Sequence, residues 1–201
     1  MTESPVLSAT RLQYEYVGPA TKKAKGWAVT DDSAQLVATV PQPTGFSIGI
    51  PEYPLVDASG TQLALVVPGE QKSNTHRILD GAGTEQAHVG TYDGDFQRTD
   101  YDVVDANNAT LIHISIGTDP LSITGVTITD VAGAQVATIE QRNEKISFLK
   151  GRTSFVLQRQ EGLTDPVRML VVIAPLLIHL DFELRELRSN TGRGQRDWRP
   201  L

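Results

Sequence analysis

Between Met169 and Ile178 the chain carries ten apolar residues in succession, and this run restricts the fold more than any other feature. A membrane-spanning helix needs about twenty such residues, so the run is too short to cross a bilayer comfortably. A helix on the surface of a water-soluble domain needs a polar face, which this run lacks. The segment is therefore expected to be buried on every side within its own protein. The rest of the chain must supply the wall around it.

That wall is written as a repeat. Trp27–Val40, Leu55–Val66, Arg77–Val89, Tyr101–Ile114 and Val126–Ile139 each read as an apolar strand, an aspartate, a turn of small residues and a second strand. The aspartates are Asp31, Asp57, Asp80, Asp105 and Asp130, spaced by 26, 23, 25 and 25 residues. An aspartate at a strand end accepts from its own backbone two residues on, and Gly or Asn in the turn tolerates positive φ. The repeated carboxylates thus read as turn architecture; metal or catalytic work would need them to converge. Lys145–Leu149 and Ser154–Gln158, on either side of a Gly-bearing turn, read as a sixth, degenerate unit. Leu12, Tyr14 and Tyr16 alternate with polar residues as in a half-buried strand.

Six hairpins amount to about twelve strands, and a sheet of that size curls or closes, which removes its adhesive edges. Eight strands already leave little or no lumen, so about twelve enclose more space than their own side chains fill. The expected fold is mainly β: a closed antiparallel barrel of about twelve strands around a buried C-terminal hydrophobic helix. The expected domain spans residues 8–188, between a disordered N-terminus (1–7) and a disordered Gly/Arg-rich tail (189–201).

For the central helix, Asp165 suits the N-cap and Pro166 the first helical position. From there to Arg188 the helix would reach about 34 Å, enough to thread a barrel. Its core-forming residues are Met169, Leu170, Val172, Ile173, Pro175, Leu176, Leu177 and Leu180. Pro175 costs roughly 3 kcal/mol inside a helix. Either the helix kinks there, or Val167–Ala174 is a strand and the helix starts near Pro175; the kinked helix is the preferred reading.

Asp-turn hairpins followed by one hydrophobic C-terminal helix resemble the phospholipid scramblase and LURP-one-related group, relatives of the tubby C-terminal domain. The resemblance covers roughly residues 8–188 and is sharpest in Val167-Arg168-Met169, Pro175 in place of a small residue, Asp181-Phe182 and Glu186. It implies a twelve-stranded barrel wrapped around a buried helix, and a lipid headgroup or protein as the binding partner. The scramblase segment before the helix is Asp-rich. Here Gln158–Asp165 holds two carboxylates without alternating oxygen ligands, too few for a calcium cage. The Pro-rich arm and lipidated cysteines of scramblases are also missing, so the LURP-one-like relatives look nearer than a calcium-dependent scramblase.

The candidate chemistry is sparse. There is no cysteine, which removes disulfides, thiol nucleophiles and cysteine-ligated zinc. A net charge of −6 argues against nucleic acid as a partner. His76, His88, His113 and His179 form no metal-binding or catalytic spacing. His179 stands where the buried run turns polar; with Asp181 and Glu183 it forms the candidate ligand contact at the helix exit, and the rival function is an enzyme or small-ligand binder with a cavity at this polar end, using His179 with Asp181 or Glu183. Arg193, Arg196 and Arg199 around Trp198 are candidate contacts for an anionic membrane, each charge contributing about 1 kcal/mol near such a surface. No cofactor or metal is implied. Without a basic, apolar leader pattern the expected location is cytoplasmic or peripheral to a membrane, and not membrane-spanning. The leading expectation is a non-enzymatic binding barrel.

Overall fold

The computed structural model describes residues 4–17, 25–42, 52–69, 76–94, 98–119, 122–144 and 152–194, with helix side chains described as far as residue 180. A single helical turn, α1 (Pro5–Ser8), precedes the first strand. The strands are β1 (Arg11–Val17), β2 (Lys25–Thr30), β3 (Leu36–Gln42), β4 (Tyr53–Asp57), β5 (Gln62–Val67) and β6 (Arg77–Asp80). They continue as β7 (Glu85–Gly94), β8 (Arg98–Val104), β9 (Thr110–Asp119), β10 (Ser122–Asp130), β11 (Gln135–Glu144) and β12 (Arg152–Arg159). The C-terminal helix α2 covers Val167–Gly194. Each strand pairs antiparallel with its neighbours in sequence, and β1 pairs with β12, from Arg11↔Gln158 to Glu15↔Ser154, to close the barrel.

The expected barrel is therefore present, but it closes differently from six hairpins in a row. The strand expected at Lys145–Leu149 lies outside the described residues, and both edges of β12 are taken, one by β11 and the other by β1. The alternating Leu12, Tyr14 and Tyr16 belong to the strand that completes the ring.

The five aspartate hairpins share one hydrogen-bond geometry. Oδ1 of each Asp accepts the backbone N–H two and four residues on, at 2.8–3.0 Å in all five turns. The N–H three residues on donates to the Asp carbonyl at 3.0 Å. That residue has positive φ in every copy: Ala34 at 59°, Gly60 at 89°, Gly83 at 84°, Asn108 at 62° and Gly133 at 80°. In all five hairpins the register slips where the residue before the Asp is reached, the mark of a bulge. A bulge sharpens the local right-handed twist, so the repeat also delivers the curvature that closes the sheet.

Side chains alternate as a pleated wall demands: on β9, Ile112, Ile114 and Ile116 are buried while His113 and Ser115 face outward. Against this wall lies α2, in which residues 170–178 are all buried, at most 5% exposed among the hydrophobic ones. The apolar run has no polar face because it meets β-sheet in every direction. Residues 167–180 rise about 21 Å, close to the height of a tilted strand of about eight residues.

The helix runs through Pro175 without interruption, so the alternative of a strand at Val167–Ala174 is overturned. Pro175 offers no N–H to the preceding turn. The helical acceptor that loses its partner is the Val171 carbonyl, four residues back. Next to it Tyr14, on the barrel wall, donates its hydroxyl to the Val172 carbonyl at 2.5 Å. Burial pushes the Tyr14 hydroxyl well above its ordinary pKa, an effect that nearby Arg159 only partly offsets, so it remains a donor throughout the physiological range.

Both helix boundaries shift from expectation. Pro166, not Asp165, holds the N-cap place, its carbonyl accepting the Leu170 N–H at 3.0 Å. Asp165 instead accepts from Arg168, at 2.9 Å from Nη2 and 3.3 Å from Nε. At the other end the helix continues beyond Arg188 to Gly194, through the first part of the segment expected to be a disordered tail. Residues 5–8, also expected to be disordered, form α1 instead. Val6 is fully buried, and Arg159 donates to the carbonyls of Leu7 and, at 2.8 Å, Ala9.

Candidate functional site

Chain direction gives the barrel two unlike ends. The five Asp turns, α1 and the start of α2 share one, which is the helix entrance; the helix leaves at the other. His179 lies near this exit, partly exposed, among rings from three strands. Its centroid is 4.8 Å from Trp27 in a T-shaped contact, 6.1 Å from Tyr53 and 6.4 Å from Tyr16. Trp27 also packs on Tyr16 at 5.4 Å and Phe155 at 5.5 Å. Trp27 Nε1 is buried without a hydrogen-bond partner among the described residues.

The sequence reading singled out His179 but missed its surroundings. Tyr16, Trp27 and Tyr53 stand in three different strands, and only strand pairing brings them together: Tyr16 faces Trp27 across the β1–β2 ladder. Their one sequence signal is position, since each lies near the exit end of its strand. Asp181 and Glu183 follow on the helix, but their side chains lie outside the described residues, as does that of Arg193; Arg196, Trp198 and Arg199 lie outside altogether.

The other histidines have structural settings. His76 is buried, and its Nδ1 accepts the Gly69 N–H at 3.3 Å. His88 lies 3.4 Å from Glu85, which also meets Arg77 at 3.8 Å. His113 pairs with Asp102 at 2.5 Å across the β8–β9 ladder, and beside it Ser115 donates to Asp100 at 2.6 Å. These cross-strand polar pairs lie on the barrel's outer wall, where such contacts contribute little to stability. Among the described residues no three His, Asp or Glu side chains converge as a metal site.

The Asp turns remain architecture by the same test, because each Oδ1 is spent on its own turn. Asp57 is held below the usual carboxylate range, first by the Ser59 hydroxyl and then by the Thr61 N–H; Asp105 is lowered by the N–H groups of Ala109 and Asn107.

A cleft of about 440 Å³ opens at the helix entrance. Leu63, Ile78, Leu79, Pro166, Met169 and Leu170 form its apolar lining, with Asp80, Gln86 and Asp165 supplying polar groups. Met169, expected in the core, is only half-buried, because the helix begins to cross the rim here. Sequence reading missed this cleft entirely, since its walls come from β5, β6, β7 and α2.

The chain matches no family model, no curated protein and no solved structure. No helix among the described residues is long and apolar enough to cross a membrane.

Proposed function

We propose that the chain is a non-enzymatic binding barrel of the scramblase and LURP-one kind, which engages an anionic lipid headgroup from the end where the helix leaves. The observation that carries this reading is the occupied interior: residues 170–178 of the helix are buried against the wall. A ligand is therefore met at the ends or the outer surface.

The distribution of charge favours the exit end. The five turn aspartates all gather at the entrance, which opposes anionic surfaces. In the sequence, Lys22 and Lys23 fall between β1 and β2, Lys25 opens β2, Lys72 falls between β5 and β6, and Lys145 and Lys150 fall between β11 and β12, intervals whose flanking strand ends lie opposite the Asp turns. Past the exit the helix continues to Gly194 and includes Arg193; Arg196, Trp198 and Arg199 follow in the sequence. Basic charges near an anionic leaflet contribute about 1 kcal/mol each, enough in combination for reversible attachment. The calcium-dependent version draws no support from the Asp turns, whose carboxylates already serve backbone N–H groups.

Flotation with vesicles of phosphatidylcholine alone, or with a phosphoinositide or cardiolipin added, tests the reading. Binding to the anionic vesicles at low salt, lost as salt rises, is the expected result. Failure to float with any anionic vesicle at low salt would turn the search toward a protein partner.

A further inference from the structure

We infer that the cleft at the helix entrance binds a small organic cation, seating an apolar body against Met169, Leu63 and Leu79 and turning an ammonium group to the Asp80 carboxylate. The inference is independent of lipid binding at the exit end. At about 440 Å³ the cleft falls within the span of small-molecule sites, roughly 300–1,000 Å³. Its lining is largely apolar, and Met169 contributes a flexible, polarisable thioether suited to ligands of varied shape.

The sign of the ligand's charge follows from Asp80. Oδ1 is fixed by the N–H groups of Ala82 and Thr84, at 2.9 and 2.8 Å, and Oδ2 by Gln86 Nε2 at 2.9 Å. No cation pairs with Asp80 among the described residues, although a carboxylate held by three donors has acceptor capacity left. The neighbouring Asp165 is already engaged by Arg168, so it adds little net charge. Asp80 therefore lies against apolar surface as a preorganised, uncompensated anion. The other four turn aspartates repeat its two backbone hydrogen bonds, yet none of them lines this cleft. The surrounding end of the barrel is acidic too, which disfavours an anionic occupant.

The only methionines are Met1 and Met169, so ¹³C-methyl methionine labelling places one NMR reporter inside the cleft. The full chain is titrated at neutral pH with 4-phenylbutylamine and, separately, with 4-phenylbutyrate, which has a similar apolar body and the opposite charge. The Met169 methyl signal should shift saturably with the amine, and at about tenfold lower concentration than with the acid. D80N, which preserves the turn's side-chain acceptor, should abolish most of that preference; D130N, the same change in a turn that does not line the cleft, should leave it intact. L63W, which fills the cleft, should remove the saturable shift, with the unligated spectrum reporting whether that variant folds. No saturable shift with either probe in the unmodified chain, equal affinity for both, or a preference that survives D80N overturns the proposal.

Discussion

The two ends of this barrel are closed by different means. At the entrance, closure is local: five turns each satisfy themselves within five residues, and α1 is tied down by Arg159. At the exit, closure is assembled from afar: Tyr16, Trp27, Tyr53, Phe155 and His179 meet only after β1, β2, β4, β12 and α2 are all in place. A local device tolerates damage to one copy, because its neighbours stand unaided. A shared aromatic cluster does not, since each ring packs against others and a void is filled only partly by relaxation.

The sharpest way to break this contrast is Trp27→Ala. Truncating a fully packed aromatic costs about 3–5 kcal/mol, and chemical denaturation should show a loss of that size. A loss no larger than that of a single-turn variant would mean the exit cluster is loosely packed and the contrast false. Next in size is Tyr14→Phe, which strips the Val172 carbonyl of its wall-side donor beside Pro175. A destabilisation of about 1–3 kcal/mol is expected, and a negligible one would show that helix N–H groups or water serve that carbonyl instead.

Smaller effects probe the local device. Ala34 occupies the position taken by Gly60, Gly83 and Gly133 in three other hairpins, at φ 59°. Left-handed backbone costs a residue with a Cβ about 1–2 kcal/mol, so Ala34→Gly should stabilise, less the entropy of a freer unfolded chain. A net gain of up to about 1 kcal/mol in thermal or denaturant unfolding is expected, and Gly133→Ala should have the opposite sign.

The last prediction is silent at neutral pH. Asp57 and Asp105 titrate lower in the folded chain than in the unfolded one, so their contribution is complete above the unfolded carboxylate pKa of about 3.9. It is lost as pH falls through the depressed folded values. Asp57→Asn with Asp105→Asn should therefore shallow the acid limb of stability below about pH 4 and leave the neutral plateau's pH dependence unchanged. An acid limb as steep as before would assign it to other carboxylates.

The same contrast explains what was legible in the sequence. Turn, bulge and positive-φ residue repeat at a nearly constant interval because each hairpin is dictated by its own five residues, and a repeat of that kind survives projection onto one dimension. The apolar run was legible too, since burial on all sides leaves no polar periodicity. The role of Leu12, Tyr14 and Tyr16 in sealing the ring was hidden, because Arg11 meets Gln158 across almost the whole chain. So was the N-cap, where Asp165 has the right chemistry but a nearby guanidinium takes it instead. The aromatic setting of His179 and the cleft beside Met169 were invisible for one reason: each joins α2 to strands that lie about eighty or more residues earlier in the sequence. The candidate sites are thus read less well than the scaffold, because scaffold rules are local and site geometry is tertiary.

The position of α2 after β12 has a consequence for biosynthesis. The last strand and the helix reach the ribosome's exit after the other eleven strands, so for much of translation the nascent chain holds a curled, unsealed sheet whose interior-facing Val, Ile and Leu side chains have nothing to cover them. Sheets with non-local closure fold slowly, and exposed edges and apolar faces are where chains adhere to one another. A premature stop between β12 and α2 would thus release a full set of strands with no centre. Its expected fate is capture by chaperones or aggregation, and yield of the folded barrel in cells should depend on how quickly α2 follows β12.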